Sequence, residues 1–290
     1  MTYAVVGASG NTGAVVANTL LDQGKNVRVI VRDAAKAERF AARGAEVAVA
    51  DIEDAAALQR AFAGAEGAFV LVPPNMQTDD FRGYQRRAVD AIARAAEGAK
   101  VPHLVLLSSI GAQHPDGNGP IAGLHDAEQR FRKLAATKST FIRASSFMEN
   151  LGSSLATLAQ GFIPTFSPPD HAYDMIATVD IGKLAASALL EGARETTVIE
   201  FGGPPVSPNE VGAALSELVG KPIRVQQAPL EAVAPTFQSF GMRPDLAALY
   251  QEMVSGMVSG RVGWEGGHRR VQGTTPVKAV LAQMLGGLNA

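Results

Sequence analysis

The run Gly7-Ala8-Ser9-Gly10-Asn11-Thr12-Gly13 follows the apolar stretch Tyr3-Ala4-Val5-Val6 and opens a segment of helical period, Thr12 to Gln23. Strand, glycine turn and helix in that order leave a chain little freedom, because they form the opening of a βα unit whose turn can cradle a phosphate. Glycines at these positions permit a tight turn, close backbone approach to a pyrophosphate and close helix packing. The helix start adds unpaired N–H donors and partial positive charge. Ser9, Asn11 and Thr12 offer side-chain hydrogen bonds as well. The spacing is G-x-x-G-x-x-G rather than the commoner G-x-G-x-x-G, so a turn that binds nothing is the plain alternative. The strand before it and the helix after it weigh against that alternative.

The same alternation continues. Apolar runs near Val27 to Val31, Glu46 to Ala50, Gly67 to Val72, His103 to Leu107 and Thr140 to Arg143 read as strands. Amphipathic segments Ala34 to Arg43, Glu53 to Phe62, Asp79 to Glu97 and Gly123 to Leu134 separate them. Right-handed crossovers turn this succession into an α/β fold, a Rossmann-type doubly wound parallel sheet with its ligand crevice at the carboxyl ends of the strands. Prolines punctuate the chain after Asn150, at Pro164, Pro168-Pro169, Pro204-Pro205, Pro208 and Pro222. We therefore expect a nucleotide-binding domain over residues 1–155 and a smaller α/β substrate lobe over 156–290. A stretch at about 176–203, with a helix Asp180 to Leu190 and a strand Thr197 to Phe201, should return to the main sheet. Phe162 to Tyr173 and Ser207 to Arg270 are expected to build the lobe.

Composition removes several classes of function. A formal net charge of −2 gives no basic field for nucleic acid. The absence of cysteine rules out disulfides, thiolate nucleophiles and thiolate-bound metals. Neither a leader peptide nor a membrane span is expected from the opening residues, which makes the cytoplasm the default location. The partner expected is a small molecule, and a homodimer is left open.

At the end of the second strand stands Arg32, where an acid would favour a ribose hydroxyl. A guanidinium suits a 2′-phosphate, and Lys36 one turn later can add a second cation, so NADP(H) is favoured over NAD(H). The alternative is a solvated arginine with Asp33 capping the next helix. Asp51 and Ile52 end the third strand, where they can flank an adenine; equally, Asp51 can cap a helix. Val72 and Pro73 end the fourth strand and can shape the wall beside a ribose, or simply make a turn.

Reductases built on such a loop commonly use Tyr-x-x-x-Lys to protonate a carbonyl. Four residues after Tyr3, Tyr84, Tyr173 and Tyr250 stand Gly7, Ala88, Ala177 and Val254, so the dyad is missing. Ser108 ends the fifth strand, where such enzymes keep a serine, and is a candidate cofactor contact; the helix after it carries His125 and Glu128 on one face. Glu128 can there orient and charge His125 as the catalytic pair; alternatively, His125 and Asp126 only open a helix toward water. The five histidines show no H-x-x-x-H spacing, and no metal is expected. No G-x-S-x-G elbow supports a hydrolase.

The loop Gly7 to Gly13, the strand end Val29-Ile30-Val31-Arg32, Leu124 to Glu128, Phe141-Ile142-Arg143 and Phe147-Met148-Glu149-Asn150 resemble the NmrA-like family of atypical short-chain dehydrogenases/reductases. Val179 to Gly182, Phe201 to Pro204 and Thr275-Pro276-Val277 carry the likeness across nearly the whole chain. Type-2 NADPH:quinone oxidoreductases and triphenylmethane reductases are the branches it most resembles. The resemblance implies hydride transfer from NADPH to a quinone, a dye or another conjugated electrophile without the dyad. It places the equivalents of Phe147, Glu149 and Asn150 near the nicotinamide. Met148, Phe166 and Tyr173 are candidate substrate walls, although ordinary packing would also account for Phe147 and Met148. Other members bind the nucleotide without turnover and act as redox sensors toward a protein partner, which is the competing expectation.

Overall fold

The computed structural model describes residues 1–288. Five strand-helix units come first: β1 (Thr2–Val6), α1 (Asn11–Asp22), β2 (Asn26–Val31), α2 (Glu38–Ala41), β3 (Glu46–Val49), α3 (Ala55–Phe62), β4 (Ala65–Val70), α4 (Phe81–Ala99), β5 (His103–Ser109) and α5 (Ala122–Phe131). There follow β6 (Lys138–Ala144), β7 (Ser146–Phe147), β8 (Phe162–Thr165), β9 (Tyr173–Ile176), α6 (Thr178–Glu191), β10 (Thr197–Gly202), β11 (Pro205–Val206) and α7 (Pro208–Val219). The chain ends with β12 (Arg224–Gln227), α8 (Val233–Ser239), α9 (Pro244–Ser259), β13 (Arg269–Gln272) and α10 (Val277–Leu288).

Eight strands form the main sheet in the order β13-β10-β6-β5-β4-β1-β2-β3, and every ladder in it is parallel. The α/β, doubly wound reading of the sequence is what the structure has. Side chains two apart in each strand divide between the two faces. On β1, Ala4 and Val6 join Leu58, Phe62, Ile92 and Phe131 beneath α3, α4 and α5. Tyr3 and Val5 join Val16, Leu20, Ile181 and Leu189 beneath α1 and α6. Burial on both faces explains why these strands are unbroken apolar runs, and each large side chain so covered contributes about 1.5–3 kcal/mol.

The chain runs from β1 outward through β2 to the β3 edge, then crosses back so that β4 lies on the other side of β1. This reversal between β1 and β4 opens a crevice at the strand ends, where such sheets take their ligands.

Two parts differ from expectation. The segment Ala34 to Arg43 is a 3-10 turn (Ala34–Ala37) followed by the single turn α2, not one helix. Asp33 starts that turn by accepting from the Ala35 amide. The lobe expected through Arg270 gives up its end to the main sheet, because β13 pairs in parallel with β10. Its four residues are mostly exposed and begin with Arg269 and Arg270, so an edge strand solvated on one side resembles a loop in sequence.

Beyond β6 a third cluster forms. Met148, Leu155, Ile163, Met175, Val211, Leu215 and Leu281 pack between a 3-10 run, Met148–Gln160, and helices α7 and α10. Helices α8 and α9 stand apart from this cluster. Helix α9 lies on the segment Gly119–Ile121 so closely that a Cβ at Gly119, whose φ is +59°, would fall on the Leu249 carbonyl.

Candidate functional site

The loop after β1 is shaped for an anion. Gly7 takes a φ of +70°, and its carbonyl accepts from the Gly10 amide at 2.9 Å. A Cβ at Gly13 would fall on that same carbonyl, so helix α1 can start this close to the turn only with glycine there. Gly10 caps α1 without a side-chain hydrogen bond. The amides of Asn11, Thr12 and Gly13 thus begin the helix without a capping acceptor, which is the electrostatic condition for holding phosphate.

A cavity of 610 Å³ extends from this loop in both directions along the strand ends. On the β2 and β3 side its wall includes Arg32, Asp51, Ile52 and Glu53. Arg32 is exposed and pairs with no carboxylate among the described residues. Asp51 lines the wall and also accepts from the Glu53 amide at 2.9 Å; the cap of α3 is Asp54 instead. Lys36 is exposed in the 3-10 turn and is not part of the wall.

On the β4 and β5 side stand Leu71, Val72, Pro73, Pro74, Ser108 and Ser109. Tyr84 of α4 donates to the Pro73 carbonyl at 2.9 Å and so fixes the proline pair. Burial pushes this hydroxyl up to about 12, with the Glu53 and Asp51 carboxylates adding to the rise. Phe147, Asn150 and Thr178 close the cavity beneath, and Pro120, Ile121, Leu124, Tyr250 and Met253 close it above. Around that end aromatic and aliphatic side chains share the wall with the neutral polar groups of Gln85, Ser108, Ser109, Asn150 and Thr178, and the charged residues of the wall are all at the other end.

The expected pairing of His125 with Glu128 does not form. His125 Nδ1 lies 2.9 Å from the Ala112 carbonyl, and Leu124, not His125 or Glu128, is the residue of α5 in the wall. Glu128 turns inward, where Arg143 binds both of its carboxylate oxygens and Ser108 donates to it at 2.7 Å. A buried guanidinium that can bond both carboxylate oxygens is a stronger partner than a single imidazole nitrogen one turn away. Asp126 does not face open water either. It takes Arg82 and Arg86 of α4 at 2.8 Å and 3.0 Å, and against the upward pull of its own burial these two hold its carboxyl below the usual range.

The Phe147 to Asn150 stretch divides. Phe147 and Asn150 reach the cavity, whereas Met148 is buried in the third core cluster. The Glu149 carboxylate accepts from the Thr178 amide and hydroxyl at 2.9 Å and 2.6 Å, capping the start of α6. Phe166 and Tyr173 are absent from the wall; Tyr173 packs on the third cluster and beside the His171 ring. Phe166 follows β8 and Tyr173 opens β9, strands that belong to the two small sheets outside the main one.

The sequence did not point to Phe81, Tyr84, Gln85, Tyr250 or Met253. Phe81, Tyr84, Gln85 and Ala88 share one face of α4, a legible stripe, apolar but for Gln85, whose neighbour was not legible. Tyr250 and Met253 come from a helix far along the chain with no local signal to tie it to the crevice. Among the described residues no group of three or more acidic or histidine side chains is placed to hold a metal, and no helix is long and apolar enough to cross a membrane.

The chain is 30% identical over 253 residues to the NAD(P)H azoreductase of Xenophilus azovorans, covering 86% of this chain and 85% of that protein. It is 28% identical over 265 residues to quinone oxidoreductase 2 of Escherichia coli strain K12, covering 89% and 88%. Its fold superposes on the triphenylmethane reductase of Citrobacter sp., solved in complex with NADP(H), with a TM-score of 0.82 at 22% identity, over 98% of this chain and 100% of that one. The model of the NmrA-like family matches residues 1–260, and the chain belongs to that family.

Proposed function

We propose that this protein is an NADPH-dependent reductase that passes hydride to a quinone-like or other conjugated electrophilic small molecule without a Tyr-Lys dyad. One observation carries the reading: a continuous cavity joins an anion-binding loop and an unpaired arginine at one end to an uncharged aromatic chamber at the other. The azoreductase and quinone oxidoreductase relatives support it.

The residues fit the cofactor. The amides of Asn11, Thr12 and Gly13, with the Ser9 and Asn11 side chains, would hold the pyrophosphate, and Arg32 the 2′-phosphate. Ile52 and Asp51 would flank the adenine, and Val72 and Pro73 the second ribose. When bound, NADPH supplies the hydride. The chain itself positions the two reactants and keeps water out. Phe81, Tyr84, Leu124, Phe147, Tyr250 and Met253 form the chamber in which a flat acceptor can stack. Alignment supplies much of the rate when the acceptor needs no strong acid, which suits a wall without a Tyr-x-x-x-Lys pair.

The test is to mix the pure protein with NADPH and a panel of quinones, azo compounds and triphenylmethane dyes, and to follow cofactor absorbance. Acceptor-dependent oxidation of NADPH is expected. Tight binding of NADPH with no turnover on any acceptor would instead assign the protein to nucleotide sensing.

A further inference from the structure

Ser108 stands at the carboxyl end of β5 and lines the cavity, yet its proton points away from it. A serine hydroxyl has one proton and two lone pairs. Here the proton lies on a 2.7 Å bond to Glu128 Oε1. Glu128 is 1% exposed and Arg143 4% exposed, and Arg143 donates from Nε and Nη2 to the two Glu128 oxygens at 2.9 Å and 2.7 Å. Both Glu128 oxygens already accept from Arg143, so each works here as an acceptor and the Ser108 hydroxyl is the donor of their bond. Burial works against the Arg143 charge, but its bonds to Glu128 and then to Glu265 raise its pKa all the same. The guanidinium is therefore a permanent member of the arrangement.

We propose that Ser108 is a hydrogen-bond acceptor for the bound cofactor, taking an N–H of the nicotinamide carboxamide, and that Glu128 is the positioning residue that enforces this polarity. The inference rests on the cofactor reading above. With the phosphates at the loop after β1 and the adenosine toward β2 and β3, the nicotinamide half extends past β4 to β5, where Ser108 stands. The carboxamide is the part of that half with N–H donors to give. Ser108 in this role does not polarise an acceptor carbonyl, since its only proton is committed elsewhere. Glu128 acts through Ser108 and touches no ligand.

The test compares binding of NADP with that of its acetylpyridine analogue, in which a methyl ketone replaces the carboxamide and the N–H donors are gone. Both share the adenosine half and the carbonyl, so the ratio of their dissociation constants reports the N–H contact alone. The wild-type protein is expected to prefer NADP by about tenfold, the scale of one hydrogen bond whose loss leaves a buried group unpaired. Ser108→Ala should reduce the preference to about twofold or less, completing a cycle in which residue and ligand group are removed separately. Glu128→Gln should narrow it too, because an amide can donate to Ser108 and free the serine proton toward the cavity. A merely structural role for Glu128 would weaken both ligands equally and leave the ratio untouched. If Glu128→Gln does not fold, Ser108→Ala decides alone. A wild-type protein with no preference, or a Ser108→Ala variant that keeps it, overturns the inference. Failure to bind either dinucleotide overturns the cofactor reading instead.

Discussion

Arg143 of β6 binds Glu128 of α5 through two parallel hydrogen bonds, 2.9 Å and 2.7 Å long, between side chains almost wholly removed from solvent. The pair fastens a helix to the sheet directly behind the cavity wall. Removing Glu128 leaves the buried Arg143 charge with the half-exposed Glu265 as its remaining carboxylate, which costs more than the loss of an exposed ion pair. Glu128→Ala is expected to lower unfolding free energy by about 3 kcal/mol in urea titrations, the lower end for a broken buried pair because Glu265 stays on Arg143. His125→Ala, which loses only a contact to the Ala112 carbonyl, should cost about 1 kcal/mol or less and leave turnover within about twofold. A large turnover defect in His125→Ala would restore that histidine to the chemistry.

Arg32 is the residue proposed to set cofactor choice. Arg32→Ala should weaken NADPH binding by about tenfold to a hundredfold, the range for hydrogen bonds between charged groups, and change NADH binding little. Equal losses for both cofactors, read by fluorescence titration, would contradict the assignment.

The last two glycines of the loop should separate folding from binding. A Cβ at Gly13 collides with the Gly7 carbonyl, whereas one at Gly10 meets that oxygen at 3.5 Å, an ordinary contact. Gly13→Ala is expected to cost stability by about 1–3 kcal/mol as the helix start is displaced. Gly10→Ala should leave the melting temperature nearly unchanged and lose affinity only because its methyl faces the approaching phosphates. Comparable melting curves for the two variants would refute this division.

Burial pushes the imidazole of His103 down to about 4 from an ordinary 6.5, and its Nδ1 has no partner. Because the folded value lies below the unfolded one, the unfolded chain binds the proton first as pH falls. The stabilisation is complete above about pH 6.5 and is lost between there and about pH 4, by about 3 kcal/mol in total. The difference in unfolding free energy between wild type and His103→Asn should shrink by that order over this window. Parallel pH curves for the two proteins would contradict it.

Much of this was visible in the residues, for a physical reason. Val5-Val6, Val29-Ile30-Val31 and Leu104 to Leu107 are apolar without interruption because both faces of their strands are covered, and a glycine whose Cβ would strike backbone leaves its mark in any chain. What stayed hidden depends on contacts between distant segments. No local pattern says that Glu128 prefers Arg143 of the next strand to His125 one turn away. Tyr250 and Met253 look like core residues of an amphipathic helix until α9 is seen to roof the crevice. Met148 and Phe147 are neighbours in sequence, yet backbone direction sends one to the core and the other to the cavity.

In this reading the turn after β1 and Arg32 together hold an NADP-type dinucleotide. Isothermal titration of the pure protein with NADPH and with NADH tests it most directly. Saturable one-to-one binding of NADPH is expected, with NADH weaker by about tenfold or more. Absence of binding heat for both, or tighter binding of NADH, would contradict it.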